Sequence, residues 1–262
     1  MLSYLQITKE LPHIIMLHYV KKKLLHILSD SPSVQELSIS APIPQLQQFL
    51  NTFQADEYGH RASQSTGDLG YGWIHYGLLR TMKPQRVLCV GSRHGYIPAV
   101  LAQACKDNSI GHVSFVDAGY GADDANSWTG EGYWKTTQGK EVFHKAFLDN
   151  HITLYVATTE EYAQKYPEMT YDYIYIDGEH SYEGALRDHN LFWPQLNNHG
   201  LMVFHDICVK ETLPEGKYGV HRVWQKIKQE HGAYLEMVFI GSGLGVVQKN
   251  PRSTIGKRAK SR

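Results

Sequence analysis

Asp177, Glu179 and His180 stand within four positions directly after the apolar run YDYIYI (171–176). Carboxylates bind hard metal ions, and imidazole gains or loses a proton near neutral pH. An apolar run that ends in such residues is typical of a buried strand that opens onto a site. The stretch is therefore a candidate for metal binding or proton transfer. Alternatively, Glu179 and His180 only begin the next helix, with Glu179 favoured by the helix dipole.

A second polar pair, His205 and Asp206, ends the apolar run LMVFH (201–205). If this run and 171–176 form neighbouring parallel strands, their ends meet at one edge of the sheet. Asp177 then lies close to His205 and Asp206. Three oxygen and nitrogen donors with room for water and substrate suit a divalent cation, so we expect a metal site formed by these three residues.

A glycine-bounded loop, VGSRHGY (90–96), ends the predicted strand RVLCV (86–90) and precedes a helix-like stretch; we call it the first loop. Gly91 and Gly95 let the backbone approach a ligand closely, and the N–H groups around Ser92 and the helix start suit an anionic group. The loop is thus a candidate for cofactor binding. A strand-to-helix turn without a ligand is the alternative interpretation.

Asp117 ends the second predicted strand, HVSFV (112–116). An acid in this place accepts hydrogen bonds from the hydroxyls of a ribose in dinucleotide sites. A turn or helix cap is the alternative. Because the first loop lacks the G-x-G-x-x-G pattern, an NAD-linked or nucleotide-sugar enzyme is the less favoured function.

Apolar runs alternate with helix-like stretches along the rest of the chain. The predicted strands are 86–90, 112–116, 152–156, 171–176 and 201–205. Helices are predicted over 95–106 and from the Ser181 cap to Gly200. Apolar strands separated by helices indicate a parallel sheet covered on both faces. The runs LEMVFI (235–240) and LGVVQ (244–248) flank GSG, so we expect the last two strands to form an antiparallel hairpin.

The bulk composition excludes several classes of partner. Lysine plus arginine number 26 and aspartate plus glutamate number 26, so no overall field attracts nucleic acid or anionic lipid. The three cysteines are widely spaced and favour a reducing cytoplasm over a disulfide framework. No run reaches the roughly 18 apolar residues that span a bilayer, and we expect no stable membrane insertion.

We expect three parts along the chain. Residues 1–60 form a helical or irregular segment that caps the substrate or contacts a second copy in a homodimer, and 61–250 form the main domain. Residues 251–262 form a basic, disordered tail. The glycine-rich insert 118–150, with Trp128 and Trp134, is either a lid or substrate wall at the site, or a surface ornament or subunit contact.

The stretch from about 69 to 248 resembles the class I S-adenosylmethionine (SAM) dependent methyltransferases. The resemblance rests on the glycine loop after the first strand, the acid after the second, D-x-x-x-I-D-G after the fourth and the reversed terminal hairpin. More narrowly, residues 171–207 look like the small-molecule and sugar O-methyltransferases related to macrolide and aminocoumarin tailoring enzymes. YGVHRVWQKI (218–227) and GLGVV (243–247) also look like that group.

This resemblance implies an α/β, Rossmann-like three-layer sandwich with a seven-stranded, mostly parallel sheet. It also implies methyl transfer from SAM to a hydroxyl of a small molecule or sugar, assisted by Mg²⁺ or Mn²⁺ at Asp177, His205 and Asp206. His205 stands where relatives often have an acid, which shifts the preference toward Mn²⁺. A repurposed, non-catalytic binding module is the alternative, favoured by Cys89 in place of an acid in the first strand.

Two sets of residues carry the expected functions beside the metal ligands. His180, with Glu179 as its rival, is expected to take the hydroxyl proton. The SAM contacts are expected to come from the first loop, from strand ends and from Tyr71, which precedes the first strand; the residues are Gly91, Ser92, Gly95, Asp117, Thr158, Asp177 and Tyr71.

Overall fold

A computed structural model describes residues 43–55, 59–121, 131–210, 212–213, 216–231, 233–239 and 241–250. Its strands are β1 (Arg86–Val90), β2 (His112–Asp117), β3 (Ile152–Val156), β4 (Tyr171–Ile176), β5 (Leu196–His205), β6 (Thr212–Leu213), β7 (Gly216–Lys217), β8 (Tyr234–Met237) and β9 (Leu244–Gln248). Its α-helices are α1 (Ile43–Thr52), α2 (Gly72–Met82), α3 (Tyr96–Asn108), α4 (Thr137–Lys145), α5 (Thr159–Lys165), α6 (Tyr182–Phe192) and α7 (Val220–Glu230). No helix within these ranges is long and apolar enough to cross a membrane.

The main sheet has seven strands in the order β3-β2-β1-β4-β5-β9-β8. β1 pairs in parallel with both β2 and β4, and β4 pairs in parallel with β5. β9 is the one strand of this sheet with reversed direction: it is antiparallel to β5 and to β8. This order confirms the predicted parallel sheet with a reversed C-terminal hairpin.

Alternation of side chains along β4 divides the core into two layers. Tyr173 and Tyr175 point to the face covered by α2 and α3, whereas Ile174 and Ile176 point to the face covered by α6 and α7. All four are at most 4% exposed. Successive side chains of a strand point to opposite faces, so a fully apolar strand indicates helices on both sides. The three-layer sandwich is therefore confirmed.

The segment between α6 and β5 differs from its prediction. The cap is as expected, because Ser181 Oγ accepts a hydrogen bond from Gly184 N at 3.0 Å. The helix ends at Phe192 instead of reaching Gly200, and β5 begins at Leu196 instead of 201. Pro194 explains the early end, since proline has no backbone N–H and cannot continue the helical hydrogen bonds; Trp193 before it still has helical angles, with φ of −59° and ψ of −41°.

Helix α1 packs on the core of the main domain. Leu50 and Phe53 are 0% and 1% exposed, and the Phe53 ring stacks on Phe143 at 5.8 Å between centroids. This packing favours a domain that starts at or before Ile43, although the boundary at residue 60 stays a prediction. The expected roles of residues 1–42 and of the tail 251–262 lie outside the described residues.

Candidate functional site

The carboxyl ends of β1, β2, β4 and β5 border one cleft of about 990 Å³. Ligands of open α/β sheets bind at this edge, where the loops leave the strands. The predicted site residues that line the cleft are Gly91, Ser92, Asp117, Thr158, Asp177, Glu179, His180, His205 and Asp206. Most of the predicted site residues therefore share this space, and Gly95 and Tyr71 are the two that do not line it.

The first loop is fixed by close backbone contact with the loop after β4. Gly91 has a φ of +74°, and a Cβ on it would lie 2.3 Å from the carbonyl oxygen of Asp177. Only glycine tolerates both conditions. The loop closes by a hydrogen bond of 3.0 Å from Gly95 N to Ser92 Oγ. This geometry presents backbone N–H groups at the start of α3.

Trp134 supports the first loop from below. Its Nε1–H donates a hydrogen bond to the carbonyl of Ser92 at 2.6 Å, and its ring stacks on Phe143 at 5.7 Å. The side chain is 2% exposed, so it belongs to the core and forms no exposed part of a lid. Trp128, the other tryptophan of the insert, lies outside the described residues.

Asp117 lies at the end of β2 and faces the first loop. Its carboxylate accepts hydrogen bonds from Gly119 N at 2.7 Å and from Ser92 N at 3.1 Å. Burial raises the pKa of Asp117 to about 6, although these backbone hydrogen bonds act to lower it. Each oxygen retains a lone pair, so the carboxylate can still accept hydroxyl donors.

Two carboxylates and two imidazoles converge where β4 and β5 end. His205 Nδ1 lies 3.1 Å from Asp177 Oδ1 and 3.2 Å from Asp206 Oδ1. His180 Nε2 lies 3.1 Å from Asp177 Oδ1 and 3.6 Å from Asp206 Oδ2. Asp206 has a φ of +58°, a left-handed conformation. The predicted convergence of Asp177, His205 and Asp206 is thus present in the structure, and His180 lies beside them. These four residues form the acid–histidine cluster.

Charge compensation within the cluster shifts the pKa values of its members. Burial lowers the pKa of His205, but the charges of Asp206 and Asp177 outweigh it and raise that pKa well above its usual value. Burial opposes ionisation of Asp177, but the His205 charge and imidazole hydrogen bonds hold its pKa well below the usual range. The pKa of His180 is raised, because the hydrogen bond to Asp177 and the charge of Asp206 outweigh burial.

His60 adds a third imidazole, which sequence reasoning missed. Its ring stacks on His205 with centroids 4.3 Å apart, and its Nε2 lies 3.5 Å from Asp177 Oδ2. Burial and the charge of His205 lower the pKa of His60, which favours the neutral imidazole. His60 precedes β1 and follows no predicted strand, so no signal in the sequence linked it to the site.

Two overlapping groups of three side chains have the spacing of metal ligands. The ligand atoms of His60, Asp177 and His205 lie within 4.8 Å of one another, as do those of Asp177, His180 and Asp206. Mixed imidazole and carboxylate donors fit Mn²⁺ or another borderline divalent ion better than Mg²⁺, which prefers oxygen ligands alone. A divalent ion also carries the charge that balances two carboxylates. The residues present therefore fit such a cation.

Glu179, Thr158 and Tyr71 make hydrogen bonds that hold neighbouring parts of the protein in place. Glu179 Oε1 accepts a hydrogen bond from Ser181 at 2.5 Å, and its Oε2 pairs with Arg187 at 2.9 Å. Thr158 caps α5 by accepting a hydrogen bond from Glu161 N at 3.1 Å. Tyr71 is 2% exposed, and its hydroxyl donates to the carbonyl of Met237 at 3.3 Å. Tyr71 therefore lies in the core and does not line the cleft, although its ring meets that of His205 edge-on with centroids 6.3 Å apart.

Comparison with known proteins gives the same fold. An O-methyltransferase from Bacillus cereus, in complex with the SAM product SAH, is similar at a TM-score of 0.56 and 14% identity; the match covers 82% of this chain and 95% of that one. The O-methyltransferase TomG from Streptomyces achromogenes, involved in tomaymycin synthesis and in complex with SAM, has a TM-score of 0.54 at 12% identity, with coverage of 83% and 93%. No curated protein matches in sequence.

A family model described as a methyltransferase domain matches residues 88–207. This range starts inside β1 and ends just after β5, so it contains the first loop, Asp117 and the acid–histidine cluster. The expectation of a methyltransferase is thereby confirmed. Residues 88–207 are similar to a methyltransferase domain, and the chain has the Rossmann-like fold of the O-methyltransferases to which it was compared.

Proposed function

We propose that this protein transfers a methyl group from SAM to a hydroxyl of a small molecule or sugar, with assistance from a divalent cation. The observation that carries the proposal is the shared cleft of about 990 Å³. Asp117 and the first loop border it on one side, and the Asp177–Asp206 cluster borders it on the other. A cofactor and an acceptor can therefore meet within it.

The first loop and β2 provide the cofactor side of the cleft. Bound SAM would supply the methyl group of its sulfonium centre. Gly91 permits close backbone approach, Ser92 orients the loop through Gly95, and Asp117 accepts the ribose hydroxyls. Two structural neighbours were solved with SAM or SAH, which supports this choice of cofactor. We therefore assign ribose binding to Asp117, with Gly91 and Ser92 lining the same pocket.

The acid–histidine cluster provides the acceptor side. A bound divalent cation would orient the acceptor hydroxyl and lower its pKa. Asp177, Asp206 and His205 are the proposed ligands, because they come from adjacent strand ends and their donor atoms face one another. His60 Nε2 borders the same space and increases the share of nitrogen donors. We therefore favour Mn²⁺ over Mg²⁺.

His180 is the proposed proton acceptor. Its side chain is 17% exposed, and its ring stacks on Tyr218 with centroids 4.9 Å apart, so the imidazole is held at the cleft wall. Glu179, its rival, already accepts hydrogen bonds from Ser181 and Arg187 on its two oxygens. The contacts of Glu179 favour a supporting role in the loop after β4, and they leave His180 as the better candidate.

Calorimetric titration of the purified protein with SAH, with and without Mn²⁺, tests this proposal. We expect SAH binding, followed by SAM-dependent methylation of a hydroxylated acceptor in a screen of sugars and small aromatic alcohols. Binding of NAD in place of SAH would contradict the proposal. SAH binding without metal dependence or any accepted hydroxyl would favour the repurposed binding module instead.

The acceptor, the partners, the location and the oligomeric state of the enzyme stay predictions. We expect a small-molecule or sugar acceptor, no nucleic acid partner, a cytoplasmic location and pairing of two copies through residues 1–60. Size-exclusion chromatography with light scattering tests the homodimer directly.

A further inference from the structure

Asp188 is a buried acid in the wall of the same cleft. It belongs neither to the acid–histidine cluster nor to the first loop. It lies on the second turn of α6 and is 1% exposed. Its Oδ1 has no hydrogen-bond partner among the described residues, and the guanidinium Nε of Arg187 lies 4.0 Å away. A buried oxygen without a partner loses its hydrogen bond to water and gains nothing in return, which is unfavourable. Such an atom is a candidate for contact with a ligand.

Asp188 and two of its neighbours are among the residues that line the cleft. Gly178, in the loop after β4, lines the cleft, and a Cβ on it would lie 3.3 Å from Asp188 Oδ2. The absence of a side chain at this position keeps the space beside the carboxylate open. Thr159, at the start of α5, also lines the cleft; burial raises the pKa of Asp188, and the nearby Thr159 hydroxyl acts to lower it. The acid therefore lies between the β3 and β4 loops.

The proposed cofactor has one part that reaches this wall. Asp117 on β2 is assigned to the ribose, and the acceptor cluster lies at the ends of β4 and β5. The sulfonium side of the ribose must point to that cluster, so the base on the other side of the ribose points away from it. The remaining wall there is formed by the β3–α5 loop, the start of α5, and α6. Arg187 of α6 joins these two helices by an ion pair of 2.8 Å to Glu160 of α5.

We propose that Asp188 Oδ1 accepts a hydrogen bond from the exocyclic amino group of the adenine of the cofactor. This inference rests on the proposed function and names the group that selects its base. Glu160, the first acid after β3, pairs with Arg187, whereas Asp188 Oδ1 has no hydrogen-bond partner among the described residues. Burial also raises the pKa of Asp188 to about 7, so the neutral carboxyl can donate to the adjacent ring nitrogen as well.

The test compares SAH with its 6-deamino analogue, in which the purine lacks only the amino group. Calorimetry on the wild-type protein should give about tenfold tighter binding of SAH, the size of one buried hydrogen bond. Asp188→Ala should reduce this ratio to about one. Asp188→Asn, which keeps a carbonyl acceptor, should retain most of the ratio. Asp188→Leu, which has no acceptor, should also reduce the ratio to about one and replaces the alanine variant if that variant does not fold.

Glu183→Ala is the matched control, because Glu183 is an exposed acid on the same helix. Its SAH-to-analogue ratio should equal that of the wild type. SAH binding by the wild type with a ratio near one, or with a ratio that Asp188→Ala or Asp188→Leu leaves unchanged, would overturn this inference alone. Failure of the wild type to bind SAH would overturn the proposed function and, with it, the role of Asp188.

Discussion

His60 and His205 stack with their ring centroids 4.3 Å apart, although 145 positions separate them along the chain. The contact brings a residue that precedes the first strand onto the ligand cluster at the end of β5. His205 Nε2 also lies 3.4 Å from the carbonyl of Gly59. The segment before the sheet therefore forms part of the site and helps to fix the orientation of the His205 ring.

Asp177→Asn should abolish methyl transfer, with a loss of at least about 100-fold, because the amide carries no charge to hold a cation or the neighbouring imidazoles. Metal titration followed by calorimetry should show the loss of Mn²⁺ binding, while far-UV circular dichroism shows that the fold persists. Asp149→Asn is the control, since Asp149 is exposed and pairs only with His144 on the surface. Equal activity of the two variants would contradict a role for Asp177.

His180→Gln should lower kcat by about 10²–10⁴-fold, the usual contribution of a general base, and leave SAH binding unchanged. Glu179→Gln should lower kcat much less, because that side chain holds Ser181 and Arg187. Steady-state kinetics on the two variants compare the two candidates directly. A larger loss in Glu179→Gln would reverse their assignment.

His205→Asp should shift metal preference toward Mg²⁺, because the variant offers a carboxylate where the wild type offers an imidazole nitrogen. We expect the ratio of the Mg²⁺ to Mn²⁺ dissociation constants to fall on the order of tenfold. Thermal denaturation at several concentrations of each metal measures both constants. An unchanged ratio would show that His205 is not a ligand.

SAH affinity should rise with pH up to about 6 and then level off. The pKa of Asp117 is raised to about 6, so at lower pH the carboxyl is protonated and a poorer acceptor for ribose hydroxyls. Below that pKa the affinity should fall at most about tenfold per pH unit. Asp117→Asn removes the titrating group, and its binding, measured by calorimetry, should be weaker and independent of pH in this range.

The same raised pKa has a consequence for stability with the opposite sign. Folded Asp117 holds its proton to about pH 6, whereas the usual value is 3.8. Its contribution therefore favours the folded state at low pH and is lost as the pH rises from 3.8 through about 6. Urea denaturation of the wild type and Asp117→Asn across this window separates the stability effect from the binding effect.

Gly91→Ala should destabilise the fold by more than about 2 kcal/mol, because alanine disfavours positive φ and its Cβ would overlap the Asp177 carbonyl. Gly77→Ala is the matched control: Gly77 lies in α2, and a Cβ added to it would have no atom within 4 Å outside its own helix backbone. That substitution should stabilise the protein by about 0.5–1 kcal/mol. Chemical denaturation of both variants measures the difference, and equal effects would contradict the close packing of the two loops.

The sequence predicted the sheet well because each parallel strand is a short apolar run between helices. Asp177 and Asp206 could be placed together from the expectation that their strands are neighbours. His60 could not, since stacking between distant loops leaves no periodic pattern. Trp134 was expected in an insert that covers something, but the structure shows it beneath the first loop. The start of β5 was missed because polar residues at 197–199 concealed the strand, and the register between β4 and β5 shifts there.

The left-handed backbone at Asp206 and the charge of its side chain each limit which residues can replace it. A positive φ of +58° is tolerated best by glycine, asparagine and aspartate. Successive residues of a strand normally face opposite sides, so the turn at this position lets His205 contact Asp177 while Asp206 contacts His180. A search for variants at position 206 should therefore return a very small set of functional residues, because folding removes most side chains and charge removes glycine and asparagine. Saturation mutagenesis at this single codon would read the backbone and the ligand chemistry in one experiment.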